Sequence, residues 1–291
     1  MATRPLSAGA ARGRPPGRFP GVGSGGQNNP MRIATWNVNS VLARLPRLTQ
    51  WLEETGPDVV CLQETKVGDG AFPADAVTAL GYEIAQHGEG RWNGVAVLSR
   101  VGLADAETGL PGDPGFPDPA TREARTLAVT CGPVRVRSVY VPNGRTPEDP
   151  HYAYKLRWLE ALRDAVAADA TGSTPFAVLG DFNIAPADDD VWDPAAFAGS
   201  THVTPAERDR LAALRETGLR DILPRIAKGP HPYTYWDYRA GSFHKGMGMR
   251  IDLVYANAAL AGAVTDAWVD REARKGKGPS DHAPVIVDAE L

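Results

Sequence analysis

The sequence has few cysteines, no long apolar run and no large excess of either charge. Two cysteines in 291 residues exclude a disulfide-framework protein. Because Cys61 and Cys131 both lie in apolar segments, we predict buried, unreactive thiols. No apolar stretch approaches the ~20 residues that a transmembrane helix requires, so no membrane span is expected. The net charge of −4 does not indicate a nucleic-acid binder, and any such binding would depend on a local basic patch.

Several common catalytic motifs are also missing. The sequence has no His-Glu-x-x-His or Cys-x-x-Cys pattern of a zinc site. It has no Walker phosphate loop and no Gly-x-Ser-x-Gly nucleophile turn. These absences argue against zinc enzymes, P-loop nucleotide hydrolases and serine esterases of the common types.

Residues 1–30 differ in composition from the rest of the chain. They contain four arginines, many glycines and prolines, no acidic residue and no apolar periodicity, which predicts disorder. The segment lacks the apolar centre of a secretory signal. A basic arm that contacts DNA and an organellar targeting segment remain open, but we favour a start codon placed too early, because Met31 opens the first predicted strand. Residues 31–291 hold 27 of the 31 basic and all 35 acidic residues, a net charge of −8.

Residues 31–291 are predicted to form one domain, a layered α/β sandwich of two packed, mixed β-sheets with helices outside and pseudo-repeated halves. Apolar residues at helical spacing predict helices from 41 to the Gly56-Pro57 break, at 147–170 and at 205–217. Short buried or alternating segments predict strands at 32–37, 58–63, 82–87, 93–99, 125–130, 134–141, 176–180, 233–238, 250–256, 264–270 and 284–288.

Polar side chains recur at the ends of these predicted strands: Asn37, Asn39, Glu64, Tyr140, Asn143, Asp181, Asn183, Asp252, Asp281 and His282. Each alone has a structural explanation, as a turn residue, a solvated carboxylate or a hydrogen-bonded core residue. Their recurrence at one edge indicates function, because buried strands otherwise avoid polarity. Oxygen-rich ligand sets suit Mg²⁺, so metal-assisted hydrolysis of a phosphate ester is the reaction that fits.

Eight short motifs follow one another along residues 31–291: IATWNVNS (33–40), LQETK (62–66), WNGVAVLSR (92–100), YVPNG (140–144), GDFNIAP (180–186), YTYWDYR (233–239), GMRIDL (248–253) and SDHAP (280–284). Together and in this order they resemble the exonuclease III / abasic-site endonuclease family, within the endonuclease–exonuclease–phosphatase superfamily. The resemblance is strongest to the bacterial exonuclease III branch, including DPHYAYKL (149–156). Residues 1–30 lie outside it.

The resemblance implies a four-layer α/β sandwich with the active site at one edge. It implies Mg²⁺ or Mn²⁺ as cofactor and double-stranded DNA as substrate. The implied reactions are incision 5′ to an abasic site, 3′→5′ exonuclease action and removal of 3′-phosphate groups, as in base excision repair. Because no signal is recognised, we expect a cytoplasmic bacterial protein near the chromosome, monomeric and without an obligate protein partner.

The resemblance also implies a metal site. Glu64 is then the principal ligand, with Asn37 beside it and Asp281 nearby. The full set of expected ligands is Asn37, Glu64, Asp181, Asn183, Asp281 and His282.

Catalytic roles are implied in the same way. Asp181, helped by Asn183, positions or deprotonates the attacking water. His282 contacts the scissile phosphate, and Asp252 orients it. The residues expected to hold the phosphate or the leaving oxygen are Tyr140 and Asn143.

Two further groups of residues complete the expectations. The positions that line an abasic pocket in relatives are Tyr235, Met249 and Ile251, although ordinary core packing is an open alternative. A tight apolar pocket would admit a baseless sugar and reject an intact nucleotide. The candidates for DNA contact are Arg91, Trp92, Asn93, Arg145, Lys245 and the basic run 271–277, and the alternative for these is a solvated surface.

Two other functions remain open from the sequence. Another member of the superfamily could hydrolyse a phosphoinositide, sphingomyelin or a nucleotide, since Asp181, Asn183, Asp281 and His282 are widely shared there. The Trp36–Ser40, LQETK and YVPNG segments favour the DNA-repair branch. A binding protein that has lost catalysis is the second alternative, and the complete polar set argues against it.

Overall fold

The computed structural model describes residues 30–291, so the predictions made for residues 1–29 lie outside the described part of the chain. The strands are β1 (Met31–Asn37), β2 (Val59–Gln63), β3 (Glu83–His87), β4 (Val95–Ser99), β5 (Ala104–Thr108), β6 (Thr126–Cys131), β7 (Val134–Tyr140), β8 (Phe176–Asp181), β9 (Arg220–Asp221), β10 (Asp252–Ala256), β11 (Val264–Val269) and β12 (Val285–Ala289). The α-helices are α1 (Val41–Thr55), α2 (Ala74–Thr78), α3 (Pro150–Thr171), α4 (Pro205–Glu216), α5 (Ser242–Lys245) and α6 (Ala258–Ala263). Within residues 30–291, no helix combines the length and the apolar character that crossing a bilayer requires.

The strands form two six-stranded mixed sheets, in the orders β11-β12-β1-β2-β4-β3 and β5-β6-β7-β8-β10-β9. The two central strands of each sheet are parallel and are connected through a helix, α1 between β1 and β2 and α3 between β7 and β8. The remaining neighbours are antiparallel. The two sheets therefore have the same topology once the hairpin β11–β12 is counted ahead of β1, which confirms the predicted pseudo-repeat.

Apolar side chains fill three layers between four layers of secondary structure. The middle layer joins the inner faces of the sheets, with Ile33 and Val97 from the first and Val129 and Leu179 from the second. The outer face of the first sheet is covered by α1 through Leu48, Trp51 and Leu52. The outer face of the second sheet is covered by α3 and α4 through Tyr154, Trp158, Leu162, Leu211 and Leu214. The four-layer α/β sandwich is confirmed.

The two cysteines lie in the middle layer as free thiols. Burial raises the pKa of Cys61 well above its usual value and that of Cys131 to about 11. Neither thiol ionises near neutral pH, so the prediction of buried, unreactive cysteines is confirmed.

Capping residues fix the ends of the main helices. Helix α1 ends at Gly56 as predicted, because Gly56 adopts a left-handed backbone with φ of 60° and its N–H donates to Leu52 O. Helix α3 begins at Pro150 rather than at 147, since the Asp149 carboxylate accepts the N–H of His151 at 2.8 Å. Helix α4 agrees with its prediction within one residue.

The predicted strand at 233–238 is wrong. Tyr235 forms only isolated bridges, to Met249 on one side and His282 on the other. The reason is that the hydrogen bonding is irregular, because the N–H groups of Thr234 and Tyr235 both bond Met249 O. The segment therefore connects the edges of the two sheets instead of extending one ladder. Strands β5, exposed along its whole length, and β9, two residues long, were not predicted because they lack apolar alternation.

Gly180 gives a test of how closely β7 and β8 pack. Its φ is 149°, and a Cβ at this position would lie 2.0 Å from Val139 O. Gly180→Ala is therefore expected to lower the free energy of unfolding by about 3 kcal/mol. The control is Gly262→Ala in α6, where a Cβ meets nothing within 4 Å and the helix should gain about 0.5–1 kcal/mol. Urea unfolding measures both, and an unchanged midpoint for Gly180→Ala would contradict the packing described.

Candidate active site

The topology brings the predicted polar residues to one edge of the sandwich. The parallel pairs β1–β2 and β7–β8 have their carboxyl ends there. Asp252, the first residue of β10, pairs with the last residue of β8, and His282 precedes β12 at the same edge. The side chains at or just after the four parallel strand ends are Asn37, Glu64, Tyr140 and Asp181.

A cavity of about 180 Å³ opens at this edge. It is lined by ten of the predicted site residues, Glu64, Tyr140, Asn143, Asp181, Asn183, Tyr235, Met249, Ile251, Asp281 and His282. His202 also lines it and was not predicted. Asn37 and Asp252 are buried and hydrogen-bonded to lining residues. Sequence reasoning therefore identified almost the whole lining of the cavity.

The amide of Asn37 connects the two carboxylates at the centre of the site. Its Nδ2 donates to Glu64 Oε1 at 2.7 Å and to Asp181 Oδ2 at 2.9 Å. Its Oδ1 accepts the N–H of Asn39 at 3.0 Å. In this arrangement the nitrogen of Asn37 faces the carboxylates, so its expected role as a metal ligand stays a prediction.

Lys66 holds Glu64 in its charged form. The Lys66 ammonium lies 2.8 Å from Glu64 Oε2 and 2.5 Å from Asn39 Oδ1. Burial alone would raise the pKa of Glu64, but the charge and hydrogen bond of Lys66 outweigh it and lower that pKa. Asn39 in turn donates to Asp281 Oδ1 at 3.1 Å. Lys66 belongs to the LQETK motif, yet sequence reasoning gave it no role.

His282 is held between two carboxylates. Its Nδ1 lies 2.8 Å from Asp252 Oδ2, and its Nε2 lies 3.8 Å from Asp181 Oδ2. Burial would lower the pKa of His282, but the charges of Asp252 and Asp181 outweigh burial and raise the pKa to about 10. The ring is therefore protonated near neutral pH and carries an N–H on both nitrogens. The Nδ1–H donates to Asp252 Oδ2, whereas Asp181 Oδ2 is too far from Nε2 for a hydrogen bond. A protonated ring offers an N–H to a phosphate oxygen but no lone pair to a metal, so the two roles expected for His282 exclude each other, and both stay predictions.

Asp181 has the pKa of a group that can exchange a proton near neutral pH. Burial raises the pKa of Asp181 to about 7, with His282 opposing the shift and Asp252 and Glu64 adding to it. The N–H of Asn183 donates to Asp181 Oδ1 at 2.9 Å and fixes the orientation of the carboxylate. These are the properties of a general base.

Tyr140 and Asn143 provide further hydrogen-bond donors in the lining of this cavity. Burial and the Glu64 carboxylate raise the pKa of Tyr140 well above its usual value, so it remains a neutral phenol. Asn143 Nδ2 donates to Asn183 Oδ1 at 3.1 Å, and Asn183 Nδ2 donates to Val141 O at 3.0 Å. The asparagine side chains are thus held in fixed orientations by their hydrogen bonds.

A buried ion pair lies behind these asparagines. Lys155 of α3, fully buried, donates from Nζ to Asn183 O at 2.7 Å and to Asn143 O at 3.1 Å. The same ammonium lies 2.5 Å from Glu207 Oε1 of α4, which also accepts the N–H of His202 at 3.0 Å. One ion pair therefore fixes the backbone of three cavity residues. Lys155 belongs to the DPHYAYKL segment noted in the sequence, but no role was expected for it, because a buried lysine on an apolar helix face contradicts the usual pattern.

His202 is the cavity residue that sequence reasoning missed. It adopts a left-handed backbone with φ of 80°, and its Nδ1 donates to Asn183 O at 2.5 Å. Burial and the nearby Lys155 charge lower the pKa of His202 to about 4, so its ring is neutral. It lies outside every motif recognised in the sequence, and contacts with Asn183, Ala185 and Glu207 bring it to the cavity.

The donor set fits a divalent metal ion. Ligand atoms of Glu64, Asp181 and His282 all lie within 4.8 Å of one another. The two carboxylates suit a hard ion such as Mg²⁺ or Mn²⁺. The raised pKa of Asp181 shows that its negative charge is destabilised here and that a cation would offset it. Asp281 lines the cavity but is not one of these three residues.

The predicted abasic-pocket residues form the apolar part of the same cavity. The Tyr235 ring lies 4.9 Å from the His282 ring, centroid to centroid. Met249 and Ile251 pack in a small apolar cluster with Ala185 and Val191. An apolar wall next to the charged residues agrees with the expected pocket, whose function stays a prediction.

The predicted DNA contacts lie next to this cavity rather than in it. Trp92, Asn93 and Arg145 line a second cavity, of about 310 Å³, together with Glu89, Glu123, Arg125 and His151. We refer to it as the Trp92 cavity. Asn143, expected from the sequence to hold the phosphate or the leaving oxygen, lines the first cavity.

The Lys155–Glu207 pair makes a stability prediction. Lys155→Met leaves the Glu207 carboxylate buried without its cation, so the free energy of unfolding should fall by about 3–5 kcal/mol. The double variant Lys155→Met/Glu207→Gln removes both charges and should recover part of that loss. The matched control is Lys275→Met, which breaks an exposed pair with Glu272 and should change stability by about 0.5 kcal/mol or less. Urea unfolding of the unaltered protein and the three variants measures these changes. Equal losses of unfolding free energy for Lys155→Met and Lys275→Met would refute the role of the pair.

Comparison with known proteins agrees with this geometry. The sequence pattern of the Endonuclease/Exonuclease/phosphatase family matches residues 34–282. The exodeoxyribonuclease III of Haemophilus influenzae is 29% identical over 267 residues, covering 88% of this chain and 98% of that protein. Two solved structures are similar over 90% of this chain and 100% of theirs: a variant of the 3′ phosphatase NExo from Neisseria bound to a product DNA hairpin, 38% identical with a TM-score of 0.84, and an AP endonuclease from Archaeoglobus fulgidus, 32% identical with a TM-score of 0.83. The chain belongs to the Endonuclease/Exonuclease/phosphatase family.

Proposed function

We propose that this protein is a divalent-metal-dependent DNA repair nuclease that hydrolyses phosphodiester bonds in double-stranded DNA. The proposed reactions are incision 5′ to abasic sites, 3′→5′ exonuclease action and removal of 3′-phosphate groups. The observation that carries the proposal is the cavity in which Glu64, Asp181 and His282 converge beside Tyr140 and Asn143. It combines a metal-binding set, a base and phosphate-binding donors in one space.

The relatives support a DNA substrate. They include an exodeoxyribonuclease, an AP endonuclease and a 3′ phosphatase that was solved with a DNA product. The proposal also includes the bacterial cytoplasm as the compartment, since the chromosome lies there. It includes a monomer as the oligomeric state.

Asp181 is proposed to accept a proton from the attacking water. Its pKa of about 7 leaves it substantially ionised near neutral pH while still basic enough to take the proton. The hydrogen bonds from Asn37 and from the Asn183 N–H hold its two oxygens in place. The water is therefore oriented by a carboxylate that has little freedom to rotate.

His282, Tyr140 and Asn143 are proposed to bind the phosphate. Protonated His282 presents Nε2–H to the cavity, while Asp252 holds its other nitrogen. The neutral phenol of Tyr140 can donate to a phosphate oxygen or to the leaving oxygen. Glu64 would hold a divalent ion beside Asp181, and its positive charge would offset that of the phosphate and the developing alkoxide, which leaves Asp181 free to act on the water.

Tyr235, Met249 and Ile251 are proposed to receive the baseless sugar. The cavity of about 180 Å³ is small and has an apolar wall formed by these residues. Extrusion from the duplex is easiest where the base is already missing, which adds to the selectivity.

The proposal is tested with a labelled duplex that carries one abasic site, beside the same duplex without it, each with Mg²⁺ and with chelator. Mg²⁺-dependent nicking at the lesion, with shortening of the intact duplex from its 3′ end, is the expected result. Shortening without lesion preference would restrict the function to an exonuclease. Absence of cleavage of both duplexes would reject the DNA-repair function and direct attention to small phosphodiesters.

Asp181→Asn should lower the cleavage rate by about 10²–10⁴-fold while DNA binding persists, because the base is lost and the shape is retained. Single-turnover cleavage and equilibrium binding give the two quantities. Asp189→Asn is the control, since Asp189 is exposed in a nearby loop. A nearly normal rate for Asp181→Asn would exclude Asp181 as the base.

Divalent ion binding should stabilise the fold. At a concentration of Mg²⁺ or Mn²⁺ a hundredfold above its dissociation constant, stability should rise by about 2.7 kcal/mol, measured as an increase in melting temperature. Glu64→Gln should weaken this increase and require more metal, whereas Glu83→Gln, at an exposed position of β3, should not. An increase that is identical in all three proteins would place the ion elsewhere.

A further inference from the structure

The Trp92 cavity shares a wall with the active site. The Arg125 guanidinium lies 4.9 Å from the centre of the Tyr140 ring and donates to Tyr140 O at 3.2 Å. On the other side, the N–H of Arg145 donates to Asn143 Oδ1 at 3.0 Å. Tyr140 and Asn143 therefore face the scissile phosphate on one side and border this second cavity on the other. When a DNA strand is bound at the active site, the nucleotide next to the scissile phosphate is therefore expected to lie near the Trp92 cavity.

Trp92 is unusually exposed for its size. Its relative exposure is 63%, and the Arg91 guanidinium lies 5.4 Å from the ring centroid. A large apolar ring left in water next to a catalytic cavity indicates a contact surface. Nucleic-acid bases stack on such rings whatever their sequence, and a neighbouring guanidinium strengthens the contact.

The exposed position of Trp92 is fixed by its neighbours. Asn93 adopts a left-handed backbone with φ of 51°, and its carbonyl accepts the N–H of Lys66 at 3.0 Å. The Asn93 side chain donates to Glu89 and Glu123, and Glu89 also accepts the N–H of Ala124 at 2.8 Å. The loop is thus attached to the segment that carries Glu64, so the backbone that carries the Trp92 ring is held at a set place relative to Glu64.

Two carboxylates, Glu89 and Glu123, and two guanidinium groups, Arg125 and Arg145, line the cavity. Glu123 is neutralised by Arg125, 2.7 Å away. The Arg145 side chain is 57% exposed, and it forms a long salt bridge, of 3.5 Å, with Asp149. Within residues 30–291, Arg91 has no carboxylate within salt-bridge distance. An exposed guanidinium beside an aromatic ring provides a cation for the phosphate of a nucleotide and a surface on which its base can stack.

We propose that the Trp92 cavity binds the single nucleotide next to the scissile phosphate, with its base stacked on Trp92 and its phosphate on Arg145. This inference rests on the proposed function. A volume of about 310 Å³ is at the small end of ligand sites, which suits one nucleotide and not a base pair. Because a base must leave its pair to stack on Trp92, the subsite favours DNA with an unpaired nucleotide beside the cleaved bond. Frayed 3′ ends have this property.

The test uses equilibrium binding in the Asp181→Asn background, so that no substrate is consumed. The probes are duplexes with a recessed 3′ end in which one residue at a time, at the positions flanking the terminal phosphodiester, is replaced by a baseless propanediol unit. Removing the base at one position should raise the dissociation constant about tenfold. Adding Trp92→Leu should abolish this difference, while Trp92→Phe should preserve most of it. Trp192→Leu, which changes a second exposed tryptophan outside the cavity, should leave the difference intact.

Two results would overturn the subsite. One is an equal rise in the dissociation constant on base removal in the Asp181→Asn protein with and without Trp92→Leu. The other is Arg145→Gln leaving the salt dependence of binding unchanged, since loss of a phosphate contact should reduce the slope of log K against log salt by about one. Cleavage of the unmodified duplex by the unaltered protein is measured in parallel. Its absence rejects the proposed function, whereas cleavage without the Trp92 effect rejects the subsite alone.

Discussion

Two carboxylates from different sheets, Glu64 and Asp181, are forced close together at the edge of the sandwich. With oxygens within 4.8 Å, their repulsion is about 3–4 kcal/mol at the effective dielectric of a protein site. The groups around them offset it: the Asn37 amide donates to both, the Lys66 ammonium pairs with Glu64, and the His282 imidazolium faces Asp181. Each of these groups has further partners, so the charge balance at the centre determines the hydrogen bonding of the whole edge.

This arrangement depends on strained backbone. Glu64, Lys66, Asn183 and His202 all have positive φ, which costs about 1–2 kcal/mol for a residue with a side chain. Such conformations persist because the surrounding contacts leave no alternative, and the Lys155–Glu207 pair supplies several of them. Buried ionic contacts of this type stabilise the fold weakly by themselves. Their effect here is to give the site loops one conformation, which is what a reaction that needs fixed groups requires.

The limits of sequence reasoning follow from the range of the interactions involved. Strand ends, turns and the motifs around Glu64 and Asp181 are local features, and the structure places them together as expected. The predicted strand at 233–238 fails because its pairing with each distant neighbour stops after one bridge, to Met249 and to His282, and no local pattern contains that fact. Lys155 and His202 escaped notice because their environment is created by the packing of α3 and α4. Arg274, predicted as part of a basic surface run, is buried and donates to the carbonyls of Ser280 and Trp236.

The first sheet is completed by strands from both ends of the domain, and this has a consequence for synthesis of the protein. The first sheet begins with β1, yet β12, which pairs with β1 over five positions, is made after every other strand. While the chain emerges from the ribosome, β1 has an unpaired edge and the middle layer lacks its last contributors. His282 is translated just before β12, so this cavity residue and the final strand arrive together. A nascent chain therefore cannot assemble the complete site, and the nuclease becomes competent to cut only when its fold is finished.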